Sequence, residues 1–88
     1  MKFFTIKKLQ AKHGYDQMQE LIDSGMAWRL EGAIGRAASD ALTVGACYLP
    51  TSSRPDSYGG RVPSRYMVKP GTKGSWKNTV SFYKNIEL

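Results

Sequence analysis

One cysteine and one histidine are all that this 88-residue chain brings to thiol, imidazole and zinc chemistry. Cys47 has no partner for a disulfide within the chain, and a zinc site made of protein ligands alone draws on several Cys or His side chains. No metal and no cofactor are therefore expected. A nucleophile needs a base within hydrogen-bond reach, and nothing in the spacing brings Cys47 and His13 together. Cys47 reads as a small buried hydrophobe at the end of an alanine-rich helix, and His13 as a helix-end or surface residue. Carboxylates are scarce as well, seven in all. Asp16, Glu20 and Asp23 fall at helix-surface spacing, which suits a solvated face better than an acid–base pair. The chain is not expected to be an enzyme.

Long apolar runs are also missing. Lys7 and Lys8 interrupt the N-terminal Phe3, Phe4 and Ile6 well before a secretory signal could form. No stretch approaches the roughly 20 residues that cross a bilayer, and a single free cysteine suits a reducing compartment. A cytoplasmic protein without a membrane partner is the expectation. Residues 2–12 set Phe3, Ile6 and Leu9 on one side among lysines, a pattern that also fits a basic helix lying on a membrane surface. Packing on the core as a short helix or strand is the reading adopted.

Positive charge is what the chain has in excess. Thirteen Lys and Arg against seven Asp and Glu give a net charge of +6, a bias toward acidic partners. The excess is uneven: six basic against five acidic side chains in residues 1–44 (net +1), seven against two in residues 45–88 (net +5). At 41% apolar residues and 88 positions, the composition predicts a single domain over 1–88 with one modest core.

The first half reads as helical. Asp16 and Gln19 have capping-box spacing, Met18, Leu21 and Ile22 share a face, and Ser24-Gly25 supplies a stop, so a helix is predicted over 16–24. Ile34, Ala37, Ala38 and Ala41 form a small-residue stripe on a second helix, 32–44, ended by Gly45, with Arg36, Ser39, Asp40 and Thr43 facing away. Met26, Trp28 and Leu30 are the expected core anchors between them. The two helices resemble a helix-turn-helix only in outline, because Arg36 is the lone base-reading candidate on the outer face.

The second half opens with a long loop, 50–60, rich in Pro, Ser and Gly, of a length more often functional than structural. Val62, Tyr66 and Val68 suggest an edge strand or extended segment demoted by Pro63, and Lys69-Pro70-Gly71 a type II turn. From Ser75 onward, Trp76, Val80, Tyr83 and Ile86 favour a capped helix, while Thr79 to Tyr83 are strand formers by propensity. The fold class expected is α+β and α-rich: two or three short helices, a basic loop, a short edge strand and a C-terminal helix or strand.

Two features bear on binding. Lys69 to Ser75 sets two glycines, two lysines and two hydroxyls in seven residues, an anion-contact candidate if a helix starts at Ser75, although its spacing is not that of a P-loop. Six aromatics (Tyr48, Tyr58, Tyr66, Trp76, Phe82, Tyr83) interleave with the basic residues of the second half. Such a mixture suits nucleic-acid surfaces and protein hot spots alike. The partner-binding residues expected are Arg54, Tyr58, Arg61, Arg65, Lys69, Lys73, Trp76 and Lys77, as one exposed patch.

The stretch from Leu21 to Gly32, LIDSGMAWRLEG, followed by Gly35-Arg36-Ala37-Ala38 and by Val62-Pro63-Ser64-Arg65 through Val68 to Ser75, resembles a group of very small bacteriophage-encoded proteins of uncharacterised function. The similarity spans roughly residues 18–75 and brings no ligand or activity with it. It implies a setting inside an infected bacterium, where a short non-catalytic protein occupies and inhibits or modulates a host machine of transcription or defence, the latter including nucleic-acid-guided effectors. The expected partner is thus a host protein or protein–nucleic acid complex in the host cytoplasm; direct nucleic-acid binding is the alternative.

Overall fold

A buried stretch of irregular backbone, residues 45–50, runs through the centre of the molecule, and the helices are arranged around it. The computed structural model describes residues 1–30, 32–56 and 59–87. Among them are four α-helices: α1 (Phe3–His13), α2 (Asp16–Ser24), α3 (Gly32–Val44) and α4 (Trp76–Ile86). A 3-10 turn, Met26–Trp28, lies between α2 and α3. A two-residue antiparallel pair, β1 (Arg54–Pro55) and β2 (Arg61–Val62), closes the 50–60 loop with Arg54 opposite Val62 and Pro55 opposite Arg61. This is a small α+β, α-rich domain.

Buried loops are uncommon because each unpaired N–H or C=O in the interior costs free energy. Here side chains and neighbouring backbone satisfy the segment one carbonyl at a time. Gln10 Nε2 and the Tyr83 hydroxyl donate to the Ala46 carbonyl at 3.1 and 2.7 Å. Thr79 Oγ1 donates to the Cys47 carbonyl at 3.2 Å, and Gln19 Nε2 to the Tyr48 carbonyl at 2.9 Å. Arg65 serves the last two, its Nε donating to the Leu49 carbonyl and its backbone N–H to that of Pro50. Going the other way, the N–H groups of Cys47, Tyr48 and Leu49 donate to Ala41 O, Gln19 Oε1 and Gly74 O. Each of α1, α2 and α4 thus sends at least one polar side chain inward, and Gln10, Gln19 and Thr79 are fully buried.

Two apolar clusters flank this segment. Ile22, Ala27, Ala38, Ala41, Leu42, Ala46, Cys47 and Leu49 form one, with Met18, Leu21, Trp28, Val62 and Val68 packed around it. Ile6, Tyr48 and Tyr83 form the other, with Leu9, Trp76 and Phe82 against them. Gly45 and Gly74 hold the crossings. Both have positive φ, +100° and +84°. A Cβ on Gly45 would meet the Asn78 carbonyl oxygen at 2.7 Å, and one on Gly74 would meet Leu49 Cδ1 at 2.5 Å.

Several expectations are met at the level of elements. α2 and α3 occupy 16–24 and 32–44, Gly25 and Gly45 stop them, and Ser75 caps α4 by accepting from Asn78 N–H at 3.1 Å. Residues 3–13 pack on the core as a helix, through Ile6 and Gln10.

Others are corrected. The residue preceding α2 is Tyr15, no side chain caps that end, and Gln19 turns inward instead of completing a capping box. Met26 and Leu30 are exposed, while Ala27 is fully buried. A 3-10 turn repeats every three residues, not every two; Ala27 is its one fully buried side chain, and Trp28 packs half-buried against the core as expected. On α3, Leu42 takes the core place expected of Ala37, which is exposed. β2 ends at Val62, so the extended segment ahead of Tyr66 is shorter than expected; Pro63 follows directly and offers no N–H to a ladder.

Candidate binding face

Phe3 on the first turn of α1 and Trp76 on the first turn of α4 lie with ring centroids 6.2 Å apart and planes 20° from parallel. Both pack edge-on against the buried ring of Tyr48, at 6.4 and 5.1 Å. Two cations frame the rings. Lys7 Nζ stands 5.4 Å from the Phe3 centroid and 5.6 Å from that of Tyr48, and the Arg65 guanidinium 4.8 Å from Tyr48. Burial, and secondarily the charge of Asp23, push the Tyr48 hydroxyl up to about 12, so it stays neutral.

Arg65 and Tyr66 join Phe3 and Trp76 around one shallow cleft, and Val68, Pro70 and Lys77 extend it along the start of α4. No carboxylate lines either part among the described residues. Around it, Phe4, edge-on to Phe3, is 76% exposed and Tyr66 74%; Met67, next in the chain, is 68% exposed. Isolated exposed hydrophobes are ordinary, but a group of this size around cations is the composition of a contact surface.

The eight residues expected to bind do not share one patch. Arg65, Trp76 and Lys77 meet in this cleft. Arg61 and Lys73 line a second one, between α3 and the β2 segment. Arg54 lies at a third place, beside Arg29 at the end of α2, where its Nε donates to the Asp23 carbonyl at 2.9 Å and its aliphatic stem packs over Gly25. Lys69 is exposed in the turn before α4, and Tyr58 lies outside the described residues. Of the interleaved aromatics, Tyr48 and Tyr83 are core residues.

The anion-contact candidate at 69–75 takes a different form from that expected. Ser75 Oγ accepts from both Asn78 N–H and Gly71 N–H, which uses one of the donors at the start of α4 and the donor of the turn before it. Lys73 turns away and donates to Ser39 Oγ on α3.

Phe3, Phe4, Lys7 and Met67 were not expected to take part. The signal available was Phe4, an aromatic lying off the Phe3, Ile6, Leu9 stripe and therefore unable to share their burial.

Elsewhere, Cys47 is fully buried; desolvation, then Asp23, push its thiol up to about 12. His13 ends α1 and contacts Glu87 Oε1 at 3.1 Å, as does Lys12. These contacts hold the Glu87 carboxyl below its ordinary range. Among the described residues, no cluster of His, Cys, Asp and Glu is suited to a metal, and no helix is long and apolar enough to cross a membrane. Neither protein-family models nor curated proteins nor solved structures gave a match to this chain.

Proposed function

We propose that the protein is a non-catalytic binding protein that docks onto an acidic surface of a host protein machine through the face formed by Phe3, Phe4, Arg65, Tyr66, Trp76 and Lys77. The observation that carries this reading is the exposure of Phe4 and Tyr66 about a cleft framed by Lys7, Arg65 and Lys77, with no carboxylate lining the cleft among the described residues. Aromatic, Met and Arg side chains are those enriched where binding energy concentrates, and cations at the rim add orientation and association rate. Arg65 is pre-positioned by its bond to the Leu49 carbonyl, so little side-chain entropy is lost on contact. The non-catalytic part of the reading is supported by the separate fates of Cys47, which is buried, and His13, which is tied to Glu87. The resemblance to small phage proteins supplies the setting in the host cytoplasm.

The second reading, direct binding of nucleic acid, is favoured by one observation: the near-parallel Phe3 and Trp76 rings beside two cations, an arrangement on which unstacked bases can lie. Affinity capture from nuclease-treated bacterial lysate separates the two. A protein retained in stoichiometric amount by the wild type, and lost with Phe4→Ser, Tyr66→Ser and Lys77→Glu together, is the expected result; all three positions are exposed, so folding is expected to be unchanged. Retention by the variant sinks this face as the docking site. Capture that disappears with nuclease, together with binding to random single strands that weakens steeply with salt, favours the nucleic-acid reading instead.

A further inference from the structure

The cleft holding Arg61 and Lys73 adjoins the docking cleft at Val68 but has a different construction. Its walls are Trp28, Leu42, Leu49, Val62, Pro63 and Val68, which converge from the 3-10 turn, α3, the central segment and the β2 strand with the chain that follows it. The cleft is half open and offers about 480 Å³, within the range of small-molecule sites, which are mostly apolar with a few convergent polar groups. Those polar groups are Arg61, Lys73, Ser39 and Thr72.

Both cations are unspent. Lys73 donates to the neutral Ser39 hydroxyl and not to a carboxylate, leaving further N–H donors on its ammonium. Arg61 holds Ser53 through Nε and Nη2, with the Nη1 side of the guanidinium unengaged among the described residues. The ion pairs among the described residues are those of Lys12 and His13 with Glu87. Among the described residues no carboxylate lines the cleft; Asp56 lines the adjoining one, which shares Trp28, Ser39 and Val62. Two uncompensated positive groups on an apolar slot of this size match a ligand with an anionic head and an apolar body. An uncharged apolar ligand would leave the cations without a counter-charge, and a small hydrophilic anion would leave the walls wet.

We infer that the cleft between α3 and the β2 segment binds a small amphiphilic carboxylate, of aryl or medium-chain type, with Arg61 and Lys73 on its head group and Trp28, Leu42 and Val62 around its body. The site shares Val68 with the docking cleft but none of that face's cations or aromatic rings. It gives the lysine-rich turn at 69–75 a role: delivering Lys73 to the cleft while Ser75 closes the helix start.

The test uses the full chain carrying Trp76→Phe, so that Trp28 is the remaining indole, and follows its fluorescence as decanoate or decanol is added. Decanoate is expected to shift Trp28 emission saturably, and decanol to do so at least tenfold more weakly. Lys73→Gln and Arg61→Gln are each expected to weaken decanoate about five- to tenfold while leaving decanol unchanged. Ser39→Phe, which fills the slot, is expected to abolish both responses, with helical content by circular dichroism unchanged. Phe4→Ser with Tyr66→Ser is expected to leave the response intact, which separates this site from the docking face. Equal binding of decanoate and decanol overturns the inference, as does decanoate binding that survives Ser39→Phe or follows the Phe4 and Tyr66 changes.

Discussion

Replacing Gln19 by leucine tests the claim that side-chain amides hold the central segment. The volumes are similar, so the change is one of hydrogen bonding. Gln19 Oε1 accepts from Tyr48 N–H at 3.0 Å and from Gln10 Nε2 at 2.9 Å, while its Nε2 donates to the Tyr48 carbonyl at 2.9 Å. With leucine there, the Tyr48 N–H and C=O both lose their partners in a fully buried place, whereas Gln10 keeps Ala46. Each orphaned group costs about 1–3 kcal/mol, and burying leucine in place of an amide returns part of that. The expected net loss is about 3 kcal/mol. For a chain of this length whose whole stability is on the order of 4–13 kcal/mol, that is a large fraction. The midpoint of thermal unfolding should fall by roughly 12–24 °C, and urea unfolding followed by tryptophan fluorescence should show the same loss at unchanged slope. Gln19→Glu adds a sign test. The introduced carboxylate cannot donate to the Tyr48 carbonyl and lies beside Asp23, whose Oδ1 is 2.9 Å from the nitrogen it replaces. Burial and Asp23 raise the introduced group's pKa in the fold, so the charge penalty should be full above that raised value, shrink as pH falls through it, and be gone below about pH 4, where the carboxyl is protonated in both states. A loss under about 1 kcal/mol for Gln19→Leu, or a Gln19→Glu penalty independent of pH, would refute the reasoning.

Four further outcomes follow from geometry already described. Gly74→Ala sets a methyl against Leu49 at a positive φ and should cost about 2–4 kcal/mol, measured by urea unfolding; a cost near zero means the central segment yields easily. Cys47 should resist thiol reagents at pH 8 in the native state and react at once in denaturant, because burial holds it as the thiol; rapid native labelling contradicts that. The Cys47 thiol and the Tyr48 and Tyr83 hydroxyls all have pKa values raised by folding, so their contribution is complete below about pH 9 and is lost as pH climbs toward 12. Alkaline unfolding that begins no earlier in denaturant than at neutral pH would count against it. The Glu87 carboxyl, lowered by Lys12 and His13, should titrate below its ordinary midpoint by NMR, and the stability it adds should be present above that midpoint and vanish on acidification. Lys12→Ala with His13→Ala should return it to normal.

Much of the chain was legible because its signals are local. The Ser24-Gly25 stop, the alanine stripe of α3 and the Ser75 cap depend on neighbours within a turn, and those elements lie where their residues indicate. Gln10 and Gln19 gave no such signal. A glutamine is buried only if a specific partner waits for it, and theirs are carbonyls and N–H groups 29 and 36 residues away. Met26 and Leu30 misled for a related reason: hydrophobicity marks a candidate for the interior, but the 3-10 turn directs Ala27 and part of Trp28 there instead. The expectation of one basic patch failed on distance that no local pattern encodes, since Arg54 braces the end of α2 while Arg61 and Arg65 leave the same stretch of chain toward different clefts.

The pairing of Phe3 with Trp76 has a practical side. It ties the first helical turn of the chain to the first turn of the last helix, while Glu87 sits at the opposite end of α1 with His13, some ten residues or roughly 15 Å along the axis. A purification handle or fluorophore fused ahead of Met1 therefore starts close to these rings, whereas Glu87 lies at the far end of α1 from them. Immobilisation chemistry for any interaction assay on this protein should be chosen accordingly.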